Sequence, residues 1–461
     1  MQARGAGHWE KARKSGESAY YTFTRRACSP WWRVFDFAMH QPLLIAFTVS
    51  GLLFTNSALA AQTPPANDFE LGAKLAEAGD YEGAIIAYSS AIGKDPKNAE
   101  AYHNRGSLKH NKGDLTGALP DYQRAIELNP KFAVAYYGRG RLKHDQGDQE
   151  GALADFDRAI ELDPKEAVTY HARGFVRRQQ GDVNGALADF SRSIELNPTY
   201  PPAYSDRANI KRSQGDVEGA LADYTRAIQL NPENAAAYGN RANIKRGQGD
   251  FNGAIADFSR TIGLNPKAPL AFSYRGLIKS YQGDLEGAFA DYQQALALDP
   301  KFAQIYYHRG MTYFAAARWA EALADFRQRC EFSEKEQEYP RFFIWLSRAR
   351  LGEAQAADQE LADFLAKRKA GTAEDWPAQI GDFLLGRLPE AQFLAAPETA
   401  SDPKTKRNQQ CEAWSYAGMK RLLAGEKDVA ADYFRKCMAT EEKSFAEYRF
   451  AEAELKSLGA K

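Results

Sequence analysis

The sequence predicts an all-α solenoid of about nine helix-turn-helix units with a divergent helical cap, and three observations carry that reading. Pro96, Pro130, Pro164, Pro198, Pro232, Pro266 and Pro300 recur every 34 residues, the mark of a repeat array. Between them a Gly-Asp pair such as Gly147-Asp148 divides two helical stretches, and the proline ends the second. Small and aromatic residues return at the same offsets, so that Ala118, Tyr122 and Ala125 of one unit become Ala152, Phe156 and Ala159 of the next. Neither helix of a unit can hide its apolar face alone, so stability is a sum over units and their interfaces. A chain of 461 residues, 26% charged and 12% aromatic, is too long for one globular core but not for a stack that grows in one dimension.

Taken in order, residues 1–60 read as a leader. Leu43 to Phe54 is an apolar run, and Ala58-Leu59-Ala60 is a small-x-small cleavage pattern that exposes Ala61. Export through a cleaved signal, to the periplasm, is the expectation; the alternative is an uncleaved membrane anchor facing the periplasm, with Arg25, Arg26 and Arg33 on the cytoplasmic side. Met39 is an alternative start. Without the leader the chain holds 53 basic and 57 acidic residues, a net charge near −4 that gives no reason to expect nucleic acid. Residues 61–66 are a short linker.

Residues 67–336 hold eight repeats, numbered 1 to 34 from residues 65, 99, 133, 167, 201, 235, 269 and 303. Positions 2–14 and 18–30 are the expected helices. The aromatic at position 4, Gly or Ala at 8, Ala at 20, aromatic at 24, Ala at 27 and Pro at 32 resemble the tetratricopeptide (TPR) repeat in both length and signature. That resemblance implies a right-handed superhelix whose first helices line a concave groove.

One departure from the family recurs. Position 7, ordinarily Leu, is Arg105, Arg139, Arg173, Arg207, Arg241, Arg275 and Arg309. Position 23 in the same units is Asp121, Asp155, Asp189, Asp223, Asp257, Asp291 and Asp325. The first unit has Leu71 and Ala87 instead, so the two positions switch together, and an arginine-carboxylate pair inside each hairpin is expected as a structural device.

The resemblance places positions 2, 5, 9, 12 and 13 on the groove. There the sequence offers His103, Tyr137 and His171 at position 5, and His110, His144, Arg178, Arg212 and Arg246 at position 12, with Tyr274 and Tyr307 nearby. The functional reading is a ladder of basic groups for an extended acidic or carboxylate-bearing segment, its field raised by Lys109, Lys143, Arg177, Lys211, Lys245 and Lys279 at position 11. The structural alternative is a solvated face whose charges pair with Asp114, Asp148, Asp182, Asp216, Asp250 and Asp284. The Lys and Asn clamp of chaperone-tail receptors is absent, since His103 and Ser107, then Tyr137 and Arg141, fill its slots.

Residues 337–410 keep helical periodicity without the 34-residue rhythm, with helices expected near 340–351, 353–368, 376–385 and 389–395 and a polar loop at 396–404. A ninth repeat and a capping helix occupy 411–461. Glu412 to Gly418, Leu422 to Gly425, Phe434 and Phe445 to Ala451, preceded by Trp376 and Phe383 to Gly386, resemble the C-terminal part of the bacterial NlpI lipoprotein family. This resemblance implies a periplasmic adaptor that forms a homodimer and brings peptidoglycan hydrolases to a processing protease. The lipid-bearing cysteine of that family is missing and the array is longer, so partner identity does not carry over.

Cys330, Cys411 and Cys437 are too few for a disulfide framework and fit no metal spacing. Cys411 and Cys437 fall on two helices of one hairpin, either as a pair for an oxidising compartment or as two small apolar side chains. No nucleophile elbow, metalloprotease helix or phosphate loop occurs, and Gly138-Arg139-Gly140 is accounted for by close helix packing. The expected function is therefore a non-enzymatic adaptor for envelope proteins, without cofactor or metal, that meets the membrane only through an uncleaved leader. The alternative is a structural subunit of an envelope export or assembly complex.

Overall fold

The computed structural model describes residues 67–335, 337–368, 375–443 and 445–459; the leader, cleavage site and linker expected at 1–66 lie outside them. The described residues are helical throughout, and they divide into two compact units, one ending at Thr312 and one beginning at Tyr313.

The first unit is a run of hairpins. First helices span Asp68–Glu77, Ala99–Asn111, Ala133–Asp145, Ala167–Gln179, Pro201–Ser213, Ala235–Gly247 and Pro269–Tyr281. Second helices span Tyr81–Lys94, Leu115–Leu128, Gln149–Leu162, Val183–Leu196, Val217–Leu230, Phe251–Leu264 and Leu285–Leu298. From the second hairpin on, both start one residue before the expected positions, because the caps lie earlier. Asp114, Asp148, Asp182, Asp216, Asp250 and Asp284 are the N-caps of the second helices, each accepting from the backbone N–H three residues on at 2.8 or 2.9 Å. Each such cap is worth about 1 kcal/mol. The glycine before each cap has φ between 79° and 86°, a left-handed turn that other residues adopt only with strain.

Within a hairpin the aromatic at position 24 fills the space between the helices. Tyr122, Phe156, Phe190, Tyr224, Phe258 and Tyr292 are at most 2% exposed. Gly140 admits Phe156 by having no side chain: a Cβ there would lie 2.8 Å from the ring and 3.2 Å from the Ala152 carbonyl oxygen. Gly140→Leu is therefore expected to destabilise by about 3 kcal/mol, read as a lowered thermal midpoint. Gly93→Ala, where nothing lies within 4 Å, is the control and is expected to stabilise slightly.

The eighth repeat, Ala303–Ala315 and Trp319–Phe332, holds the boundary between the units. That boundary falls before the 336/337 position at which the sequence rhythm slackens. Ala317 replaces the turn glycine at φ 57° and Arg318 replaces the capping aspartate, with no side-chain cap bond.

The second unit continues with Glu338–Arg350 and Ala354–Lys367, which pack together as a further hairpin, the ninth among the described residues. Helices Trp376–Leu384 and Glu390–Ala395 follow. The expected polar loop at 396–404 is instead a 3-10 turn, Ala396–Thr399, and the start of a 21-residue helix, Pro403–Leu423. Asp402 caps that helix by accepting from the Thr405 N–H, and Pro403 occupies its first position, where a proline is tolerated. The ninth sequence repeat thus begins eight residues before Cys411. Helix Lys427–Met438 completes its hairpin, and Ala446–Ser457 packs on both helices. Phe450 of this last helix lies 4.9 Å from Phe314 and 5.1 Å from Phe343, centroid to centroid, which ties the end of the chain to the start of the unit.

Candidate functional site

The position 7 arginines are hubs inside the hairpins. Arg207 donates from Nε to Asp223 Oδ2 at 2.8 Å and from a terminal nitrogen to Oδ1 at 2.7 Å, a two-point fork. The same fork joins Arg105 to Asp121, Arg139 to Asp155, Arg173 to Asp189, Arg241 to Asp257 and Arg275 to Asp291. Arg309 and Asp325 fall in different units, so for them the pair stays an expectation. In five hairpins the remaining terminal nitrogen reaches back to the preceding hairpin, to Ser89, Asp157, Ser191, Thr225 or Ser259. Each guanidinium also lies 5.5 to 5.8 Å from the aromatic ring at position 4, from Tyr102 through Phe272 to Tyr306.

The position 11 cations are drawn into the same clusters. Lys109, Lys143, Arg177, Lys211, Lys245 and Lys279 approach the second oxygen of the hairpin's aspartate at 2.7 to 2.9 Å. They are therefore not the source of a groove field, and Asp114 and its equivalents, engaged as caps, are not their chief partners. Only Arg177 also approaches such a cap, Asp182, at 3.9 Å.

Most of the groove ladder is used between repeats. His110 meets Asp145 at 2.8 Å, His144 meets Gln179 at 2.9 Å and Asp145 at 3.0 Å, and His171 meets Asp206 at 2.8 Å. Arg178 lies 3.9 Å from Asp206. Burial pushes Asp145 up, but hydrogen bonds with His110 and His144 hold it below its ordinary value. His144 is raised in turn, first by its bond to Asp145. His103 is pushed down to about 4 by burial, so it stands neutral and supplies no charge.

Three of the expected groove residues are buried: His110, Tyr274 and Tyr307 are 5–6% exposed. His110 packs edge-on to Tyr122, Tyr274 stacks on Phe258 at 5.8 Å, and Tyr307 lies beside His308. Tyr137 is half-buried at 5.9 Å from Phe156. Sequence reasoning missed Asp145 and Asp206 as partners. The signal was an offset of 35 residues, one repeat plus one, from His110 and from His171.

What remains is a pair of guanidinium groups. Arg212 and Arg246 occupy position 12 of successive first helices and are half-buried. Among the described residues no carboxylate lies within ion-pair distance of either, and each has a buried Nε without an acceptor. Arg246 lies over the Tyr274 ring at 5.1 Å. The nearby His308, pushed down to about 3 by burial and by Arg246, is neutral. Ser273 and Gln304 bond its ring nitrogens at 2.8 and 2.9 Å. Two partly desolvated cations beside aromatic surface, with no anion supplied by the described residues, make a site suited to carboxylates. Among the described residues no group of three or more His, Cys, Asp or Glu is placed to hold a metal ion.

A TPR repeat family model matches residues 72–113, 107–147, 140–177, 208–245 and 279–316. The chain is 30% identical over 130 residues to the lipoprotein NlpI homolog of Haemophilus influenzae. That match spans 28% of this chain and 40% of the relative, well under half its length. Among solved structures, the chain is similar to YrrB, a TPR protein with an unusual peptide-binding site, with 23% identity, TM-score 0.35, 41% of this chain and 97% of that one. It is also similar to Pseudomonas aeruginosa PilF, with 20% identity, TM-score 0.41, 44% of this chain and 91% of that one. Five matched repeats lie on hairpins that pack in sequence, so residues 72–177, 208–245 and 279–316 carry tetratricopeptide repeats.

Proposed function

We propose that the protein is an exported, non-enzymatic adaptor that holds other cell-envelope proteins through acidic segments laid along the first helices. The observation that carries this reading is Arg212 with Arg246. In an array that pairs its position 7 and position 11 cations, these two alone of the position 12 arginines lack a carboxylate within ion-pair distance. The apolar run at 43–54 with Ala58-Leu59-Ala60, and the likeness to a lipoprotein, support export. Peptidoglycan hydrolases and their processing protease are the partner class that the NlpI likeness favours, with a second copy of the chain as a further partner. Among the described residues no helix is long and apolar enough to cross a membrane; in this reading membrane contact is made through the leader if it stays uncleaved.

The test places a photo-crosslinking residue at Ser280, position 12 of the next repeat, and identifies segments captured from envelope extract. Captured segments are expected to be rich in Asp and Glu, and Arg212→Glu with Arg246→Glu is expected to cut capture at least tenfold. Segments without acidic residues, or capture unchanged by the two substitutions, would overturn the reading.

A further inference from the structure

Cys411 and Cys437 sit on the two helices of the hairpin 403–438, and both are fully buried. Their sulfurs are 3.3 Å apart, as free thiols. Bonding distance is about 2.05 Å, so a closure of little more than 1 Å, within reach of small side-chain rotations, would join them. Cys330 is the third described cysteine and is also buried, yet no sulfur partner stands beside it.

The surroundings hold this pair in place. Cys437 Sγ approaches the Glu447 carbonyl oxygen at 3.7 Å, and Ser415 Oγ donates to the same oxygen at 3.2 Å, so the final helix closes over the sulfurs. Glu412, next to Cys411, accepts from Trp376 Nε1 and from Tyr339 Oη, which joins the hairpin to two preceding helices. A bond at this point would therefore lock the hairpin that anchors both the capping helix and the segment 376–384.

We infer that Cys411 and Cys437 are a redox modification site, joined as a disulfide when the chain folds in contact with a small disulfide oxidant of the glutathione class. One thiolate attacks the oxidant and expels one small thiolate, leaving a mixed disulfide. The second cysteine attacks the protein sulfur of that intermediate and expels the other small thiolate. Two protein thiols lose two electrons and two protons, and one oxidant disulfide becomes two thiols. Burial pushes the Cys437 thiol well up, and no oxidant reaches the native pair, so the bond forms during folding or local opening and is then shielded from reductant. The inference stands apart from the groove reading, because it needs none of the first-unit residues.

The full chain, which holds Cys28, Cys330, Cys411 and Cys437, is unfolded and refolded with oxidised and reduced glutathione, then denatured in the presence of a maleimide and digested. The expected result is one linked species containing both Cys411 and Cys437, lighter by two hydrogens than its separate peptides and unlabelled until reductant is added. The oxidised form is expected to melt about 5–10 °C above the reduced form in the transition of the C-terminal unit. The Cys411→Ala/Cys437→Ala variant is expected to melt the same with and without reductant. Free labelling of both cysteines after oxidative refolding, glutathione retained on either, or an equal response to reductant in the double variant would overturn the inference.

Discussion

Asp223→Ala is expected to damage the first unit more than Arg207→Leu, by about 3–5 kcal/mol, a fall on the order of 10 °C in its thermal midpoint. The reason is that Asp223 neutralises two partly buried cations. Arg207 and Lys211 are 19% and 23% exposed and approach its two oxygens at 2.7 and 2.9 Å. Removing the aspartate leaves both without a carboxylate, whereas removing Arg207 leaves Asp223 still paired with Lys211. The first hairpin shows the apolar solution to the same problem, with Leu71, Leu75 and Ala87 at positions 7, 11 and 23. The triple change Arg207→Leu, Lys211→Leu and Asp223→Ala is accordingly expected to melt within a few degrees of wild type. Thermal denaturation of the three variants checks this, and a triple variant no more stable than Asp223→Ala would show that the groups do not act as one cluster.

Raising the pH from 6 to 9 is expected to weaken the C-terminal unit selectively. Glu412 and Glu447 are 2% and 1% exposed. Burial, then the charge of Glu447, pushes Glu412 up to about 8, and burial pushes Glu447 up to about 7. Tyr416 donates to Glu447 Oε1 at 3.3 Å, but Oε2 is buried without a partner, so the ionised form is poorly solvated. In the unfolded chain these carboxyls ionise near 4.5. The folded state therefore holds protons that the unfolded state has released. The stability they lend is complete below pH 4.5, declines above it and is gone once pH has risen through 7 and 8; between pH 6 and 9 the loss is on the order of 4 kcal/mol. Glu412→Gln keeps an acceptor for Trp376 and is expected to flatten most of the dependence. A wild-type C-terminal transition that does not move between pH 6 and 9 would contradict this.

Much of the architecture was legible because it is written as spacing. Proline every 34 residues, Gly-Asp before the second helices, and the joint switch of positions 7 and 23 are properties of the string itself. Features that depend on distance between repeats were not. In the string the position 11 cations read as groove charges, whereas in the fold they reach the hairpin aspartate; Leu75 in the first hairpin shows that position 11 switches with the other two. His110 and His171 read as free basic groups because their carboxylates sit one repeat onward. The polar stretch 396–404 read as a loop because its composition outweighed Asp402-Pro403, a helix start in which the side chain caps and the proline needs no N–H. Glu412 and Glu447 gave no motif; each is one acidic residue among apolar ones, and only burial distinguishes them.

The adaptor reading rests on Arg212 and Arg246 accepting carboxylates, and peptide binding tests it most directly. Fluorescence anisotropy would compare an extended glutamate-rich peptide with its glutamine counterpart, against wild type and the Arg212→Glu/Arg246→Glu variant, over a range of salt. The expected result is binding of the acidic peptide that weakens with salt and falls at least tenfold in the variant, with the glutamine peptide bound no better by wild type than by the variant. Equal affinity for both peptides, or an acidic peptide held as tightly by the variant, would contradict it.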